Sequence, residues 1–282
     1  MRRGRFTGYW LMLPAALWLG VFFVIPFYSL LATSLYDPQG SVLTGYDVTY
    51  HVANFWDALR EHWDELWRSL WYAGVATVIC AVIGYVLAYA IAFKAGRWRN
   101  FLLVLVIAPF FTSFLVRTLS WKLILADDGF IVDALQTVHL MGDDDRLLAT
   151  PIAVIAGLVY NFLPFMVLPL YASLEKIDVR LIEAASDLYA SPSRGFLKVT
   201  LPLSMPGVVA GTLLTFIPAA GDYINAQLLG STNQRMVGNV IQDLFTDTGD
   251  YAAAGALSVT LMAIIVALVV IYIRKAGTEE LL

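Results

Sequence analysis

Long apolar runs separated by short polar links set the pattern of this chain. Six stretches of mostly uncharged residues stand out, at 9–36, 67–93, 101–126, 150–174, 204–221 and 251–273. A bilayer core of ~30 Å needs roughly 20 apolar residues in a helix rising ~1.5 Å per residue, so each stretch predicts a membrane-spanning α-helix. The shortest, 204–221, holds Pro206 and Pro218, which membrane helices tolerate where neighbours satisfy the freed backbone groups. Between the first two runs, residues 54–67 place Trp56, Trp63 and Trp67 among charges at helical spacing. That pattern predicts an amphipathic helix lying at an interface.

Composition agrees. The 282 residues are 59% hydrophobic and 14% charged, with a mean hydropathy of +0.71. A soluble domain carries about 25% charged residues, so a water-soluble globule is a poor fit. The sequence therefore predicts an all-α, polytopic membrane protein with six transmembrane helices, read as one domain over 1–282. Its basic start is followed by an apolar run too long for a signal core, which predicts a retained first helix. Cys80 sits alone in the second run and acts as a small packing residue.

Charge sets an expected orientation. With the N-terminus inside, cytoplasmic segments hold Arg2, Arg3, Arg5, Lys94, Arg97, Arg99, Lys176, Arg180, Arg194, Lys198, Arg274 and Lys275, which is 12 of the 18 Lys and Arg. The positive-inside rule then places both termini in the cytoplasm. Acidic residues show the opposite bias, with 16 of 22 on or near the outer side. Acidic outer loops attract cationic solutes or a partner's basic patch, and equally serve as plain solvated loops.

Candidate chemistry within the chain is sparse. His62 beside Glu61, Asp64 and Glu65 matches no strong metal motif. Asp143-Asp144-Asp145 lacks the alternating spacing and distal Glu of an EF-hand loop. There is no phosphate-binding Gly-x-x-x-x-Gly-Lys-Ser/Thr loop. Three histidines and one cysteine form no nucleophile–base set, so no catalytic residue and no metal site is expected.

The polar segment 175–203 stands apart. Residues 179–190 favour a helix whose small apolar face comprises Val179, Leu181, Ile182, Ala185, Leu188 and Ala190, while Glu183 and Asp187 project together at i and i+4. Ser191-Pro192 breaks that helix, and Arg194–Val199 begins another. On these residues alone, an ordinary interfacial connector fits as well as a docking element.

The segment Glu183-Ala184-Ala185-Ser186-Asp187-Leu188-Tyr189-Ala190-Ser191, followed by Val199-Thr200-Leu201-Pro202, resembles the cytoplasmic "EAA" loop of ABC-importer permeases. The departure is Tyr189, where that family has Gly, a residue that allows the turn between two short helices. The resemblance implies that Glu183, Ala184, Ala185, Asp187, Leu188, Tyr189, Ala190 and Pro202 couple the chain to a separate ATPase.

Further segments resemble spermidine/putrescine permeases. These are Pro109–Trp121 with Asp128-Gly129, Pro218–Tyr223, Leu228-Leu229-Gly230, and Met236–Asp243. The resemblance implies an assembly of two permease chains, an ABC ATPase dimer that binds ATP and Mg, and an extracytoplasmic solute-binding protein. The chain itself would carry no cofactor and bind no nucleic acid. It would pass polyamine across the bacterial cell membrane by alternating access.

An amine-bearing solute needs carboxylates, carbonyls and aromatic faces along its route. Asp222 beside Tyr223, with Gln242 and Asp243 behind, is the expected path or gate, and Trp121 and Tyr160 are expected to add aromatic walls. Arg117 opposes a cation unless Asp127 or Asp128 pairs with it; Asp222 and Arg117 as braces of an outer gate are the alternative. Rival readings are an importer of an opine, an amino-acid derivative or an iron chelate, and an ATPase-independent secondary transporter. A membrane-embedded enzyme is the third.

Overall fold

The computed structural model describes residues 4–40, 45–139, 141–142 and 145–275. Arg2, Arg3, Asp143, Asp144, Glu279 and Glu280, and the side chain of Arg5, lie outside the described residues. Among the described residues the protein is helical, with one isolated antiparallel bridge between Tyr36 and Val48.

Four helices are long and apolar enough to cross a bilayer: α1 over Met12–Thr33, α3 over Trp63–Lys94, α7 over Pro151–Leu174 and α13 over Tyr251–Lys275. Two bent pairs complete the set of six: α4 (Gly96–Phe111) with α5 (Phe114–Ile124), and α9 (Pro192–Leu203) with α10 (Met205–Ala220). The sequence predicts a single span over 101–126. The chain instead turns by 95° between α4 and α5, where Thr112 is extended and Pro109 stands two residues before the end of α4. The fifth predicted span likewise begins after a 64° bend at Ser204. Shorter helices are α2 (Ala53–Glu61), α6 (Phe130–Thr137), α8 (Val179–Asp187), α11 (Ile224–Leu229) and α12 (Val237–Asp243). The predicted interfacial helix over 54–67 stops at His62, which leaves helical geometry before α3 begins.

The chain divides into two compact units, one comprising residues up to Trp63 with Val240–Ile264, the other Asp64–Asn239 with the residues from Ile265. In the first, a Cβ on Gly255 of α13 would stand 2.7 Å from the Thr33 hydroxyl, so only glycine permits that approach to the end of α1. The buried Asn54 amide ties down the next turn, donating to the carbonyls of Ser34 and Tyr36 at 3.1 and 2.8 Å.

In the second unit, small residues let long helices touch. Gly207 and Gly211 of α10 lie one turn apart against α7, and Met166 of α7 fills the notch between Gly211 and Gly84 of α3. This is the small-xxx-small packing that membrane helices use to bring backbones close. One cluster centres on Cys80, Met166, Leu170 and Leu174. A second centres on Tyr72, Leu158, Phe162, Leu229 and Met236.

Candidate functional site

Two parts of the second unit hold most of the residues singled out by sequence. The first is a hairpin of α8 and α9. Asp178 caps α8, its carboxylate accepting from the Arg180 N–H at 3.0 Å. At the other end the Tyr189 N–H donates to Ser186 O at 2.9 Å and the Ala190 N–H to Ala185 O at 3.0 Å. Those two bonds are the signature of a Schellman cap, whose C′ position takes the left-handed conformation. Tyr189 occupies it with φ of 58°. The chain therefore makes the turn a glycine usually makes, at a strain on the order of 1 kcal/mol for a residue with a Cβ. Ser191 is extended, the conformation a following proline favours, and Pro192 opens α9.

Ile182 packs inward on the Met166 cluster. Glu183, Ala184, Asp187, Leu188, Tyr189 and Pro202 are exposed, with Tyr189 97% and Leu188 82% accessible, while Ala185 and Ala190 are half-buried. The hairpin is anchored at its root, where Arg99 of α4 pairs with Glu175, donates to the Tyr171 hydroxyl and lies over that ring at 5.0 Å.

The second part is a buried chain of amides. Asn161, in the middle of α7, donates to the Thr118 hydroxyl of α5 and to the Asn225 carbonyl oxygen of α11, both at 3.1 Å. Asn225 in turn donates its backbone N–H and its amide to one Asp222 oxygen, at 2.8 and 3.1 Å. Gly157, one turn before Asn161, leaves the room: a Cβ there would stand 2.6 Å from the Asn225 oxygen. Asp222 is 8% exposed and follows the end of α10 by two residues. Burial pushes its carboxyl up to about 6 from 3.8, and the two Asn225 donors pull part of that back. Tyr223 beside it is exposed, and its carbonyl accepts from the buried Asn239 amide at 2.8 Å.

Arg117, one residue before Thr118, is also 8% exposed. Asp127 does not pair with it, because Asp127 bonds Arg146 at 3.2 Å. The Arg117 guanidinium lies instead over the rings of Phe110 and Phe114, at 5.7 and 5.6 Å, with Nε and Nη1 buried and without a hydrogen-bond partner. Trp121 and Tyr160 do meet, edge to face with centroids 5.3 Å apart, on the wall of an almost wholly apolar groove of about 540 Å³. Neither Asp222 nor Arg117 lines that groove. Gln242 and Asp243 close α12 and belong to the other unit. Sequence reasoning missed Thr118, Asn161 and Asn225; an amide inside the apolar run 150–174 was the available signal, since an unpaired polar group there is costly.

Long apolar helices, two bent pairs and an exposed polar hairpin together define a polytopic helical membrane protein. Residues 81–276 match the family described as binding-protein-dependent transport system inner membrane component, and the chain belongs to that family. Over 178 residues it is 42% identical to the spermidine/putrescine transport system permease protein PotB of Haemophilus influenzae and 40% identical to PotB of Escherichia coli K12. The aligned region is 63% of this chain and spans 62% and 65% of those two proteins. A chain of a bacterial ABC transporter that imports the acidic polysaccharide alginate superposes with a TM-score of 0.76, covering 98% of this chain and 96% of the other. At 16% identity that likeness speaks to the fold.

Proposed function

We propose that this chain is the transmembrane permease subunit of an ATP-driven, binding-protein-dependent importer whose substrates are polyamines such as spermidine and putrescine. The observation that carries the reading is the α8–α9 hairpin, which keeps its glycine-type turn at Tyr189 and leaves Glu183, Asp187 and Leu188 open to a partner. The likeness to PotB supports the substrate class.

In this reading the hairpin docks on an ATPase dimer, which holds ATP and Mg, and a second, different permease chain completes the path. An extracytoplasmic binding protein delivers the solute. Both termini are cytoplasmic, which the placement of 12 of 18 Lys and Arg supports. One permease domain spans 1–282. The Asp222–Asn225–Asn161–Thr118 chain acts as the gate brace between α5, α7 and α11, with Tyr223 on its accessible side. Gln242 and Asp243, at the end of α12, are path residues within their own unit, and the aromatic pair Trp121–Tyr160 supplies apolar wall in the other.

Affinity purification in mild detergent with mass spectrometry of the retained chains tests this. Recovery of an ABC ATPase and a second permease is expected, and a binding protein encoded with them should bind spermidine. Clean isolation without an ATPase, repeated after gentle crosslinking, would overturn the proposal in favour of a secondary transporter.

A further inference from the structure

The first turns of α3 carry charge into an otherwise apolar span. The helix has 32 residues, about 48 Å at ~1.5 Å each, and so outruns a ~30 Å apolar core. With Lys94 closing the far end, Asp64 to Tyr72 fall at headgroup depth. There Asp64, Trp67, Arg68, Trp71 and Tyr72 line an open cleft of about 470 Å³. Trp67 and Trp71 are 59% and 60% exposed, the half-wet position that tryptophan favours at a bilayer surface.

Asp64 and Arg68 stand at i and i+4, acid first, the arrangement that favours a direct ion pair on a helix. They do not form one. Neither takes part in an ion pair such as Arg99–Glu175 or Arg146–Asp127. Arg68 is held instead by the Arg235 carbonyl, to which Nη1 donates at 2.8 Å. One carbonyl leaves most of its five N–H donors open. The cleft thus keeps an anion and a cation apart, with two indole faces beside them.

We propose that this cleft binds a phospholipid headgroup carrying both a phosphate and a primary ammonium, as in phosphatidylethanolamine. Arg68 takes the phosphate, Asp64 accepts from the ammonium, and an indole face adds a cation–π contact. A headgroup with only a negative charge meets Asp64 with the wrong sign, and a free polyamine meets Arg68 likewise. A choline headgroup has no N–H for the carboxylate.

Native mass spectrometry of the intact complex, released from nanodiscs of equal phosphatidylethanolamine and phosphatidylglycerol, tests the site. Wild type is expected to retain phosphatidylethanolamine about three- to fivefold over phosphatidylglycerol, the range an exposed charge contact supports. Asp64→Asn should remove that preference while keeping total lipid. Arg68→Gln should lower retention of both, and Arg68→Lys should restore it. Asp64 is exposed, so its variant leaves the fold intact, which size-exclusion chromatography verifies. Equal retention by wild type, or a preference unmoved by Asp64→Asn, overturns the proposal. Displacement of the lipid by spermidine also overturns it and assigns the cleft to a cationic solute.

Discussion

The α8–α9 hairpin and the amide chain around Asn225 each include a short helix, α8 and α11, yet they place their polar groups oppositely. In the hairpin, Glu183, Asp187 and Tyr189 face outward, and the turn is closed by backbone bonds such as Tyr189 N to Ser186 O. In the amide chain, Asn161 and Asn225 are buried and spend their side chains on each other, on Thr118 and on Asp222. Exposed polar groups are already satisfied by water, so changing them alters recognition more than stability. Buried ones have only each other, so changing one orphans its partners. The hairpin is therefore expected to fail in coupling, and the amide chain in folding.

The sharpest test of that contrast is Asn225→Leu. It removes the acceptor of Asn161 and one donor to Asp222, leaving a buried amide and a buried carboxylate short of partners. A loss of about 4 kcal/mol is expected, read as a large drop in melting temperature of the purified protein and in its membrane yield. A melting temperature near wild type would mean the chain of bonds does not hold the unit together.

Asp222 gives the next largest effect and a sign. Its carboxyl titrates at about 6, against 3.8 in the open chain, because burial disfavours the charged form. The stability it contributes is full below pH 3.8 and lost as pH rises through about 6, a swing of about 3 kcal/mol. Wild type should gain melting temperature between pH 7 and pH 5 relative to Asp222→Asn. Parallel profiles for the two proteins would remove the buried-carboxyl account.

How much of this the sequence revealed follows the same divide. The hairpin was legible because its determinants are local: Val179, Ile182 and Ala185 at helical spacing, Glu183 and Asp187 one turn apart, and Ser191-Pro192 to break the helix. The spans were legible from length and apolarity alone. The break at Thr112 was not, because a proline such as Pro109 is compatible with a continuous membrane helix. Nor was the amide chain, since Asn161 meets Thr118 and Asn225 across 43 and 64 residues of sequence. Asp127 near Arg117 in sequence suggested a pair, but the acid found Arg146.

On the exposed side of the contrast, Glu183→Ala should leave the fold alone. A surface change of this kind is worth no more than ~0.5 kcal/mol in stability. Uptake of labelled spermidine by cells carrying the full transporter should nevertheless fall about tenfold, the equivalent of 1.4 kcal/mol of lost docking. Unchanged uptake would break the contrast, because the hairpin would then be only a connector.

The smallest effect is expected at Tyr189, where two terms oppose. Replacing it with Gly relieves left-handed strain of about 1 kcal/mol but adds about 0.5 kcal/mol of unfolded-chain entropy. The net gain is about 0.5 kcal/mol, close to the limit of a melting experiment. The informative comparison is therefore between Tyr189→Gly and Tyr189→Pro. Proline fixes φ near −65° and removes the N–H that donates to Ser186, so it cannot hold a turn whose φ is 58°. If the turn is what couples, the glycine variant keeps wild-type uptake and the proline variant loses it while the spans still assemble. Loss of uptake in the glycine variant would show instead that the ring, 97% exposed, makes the contact itself.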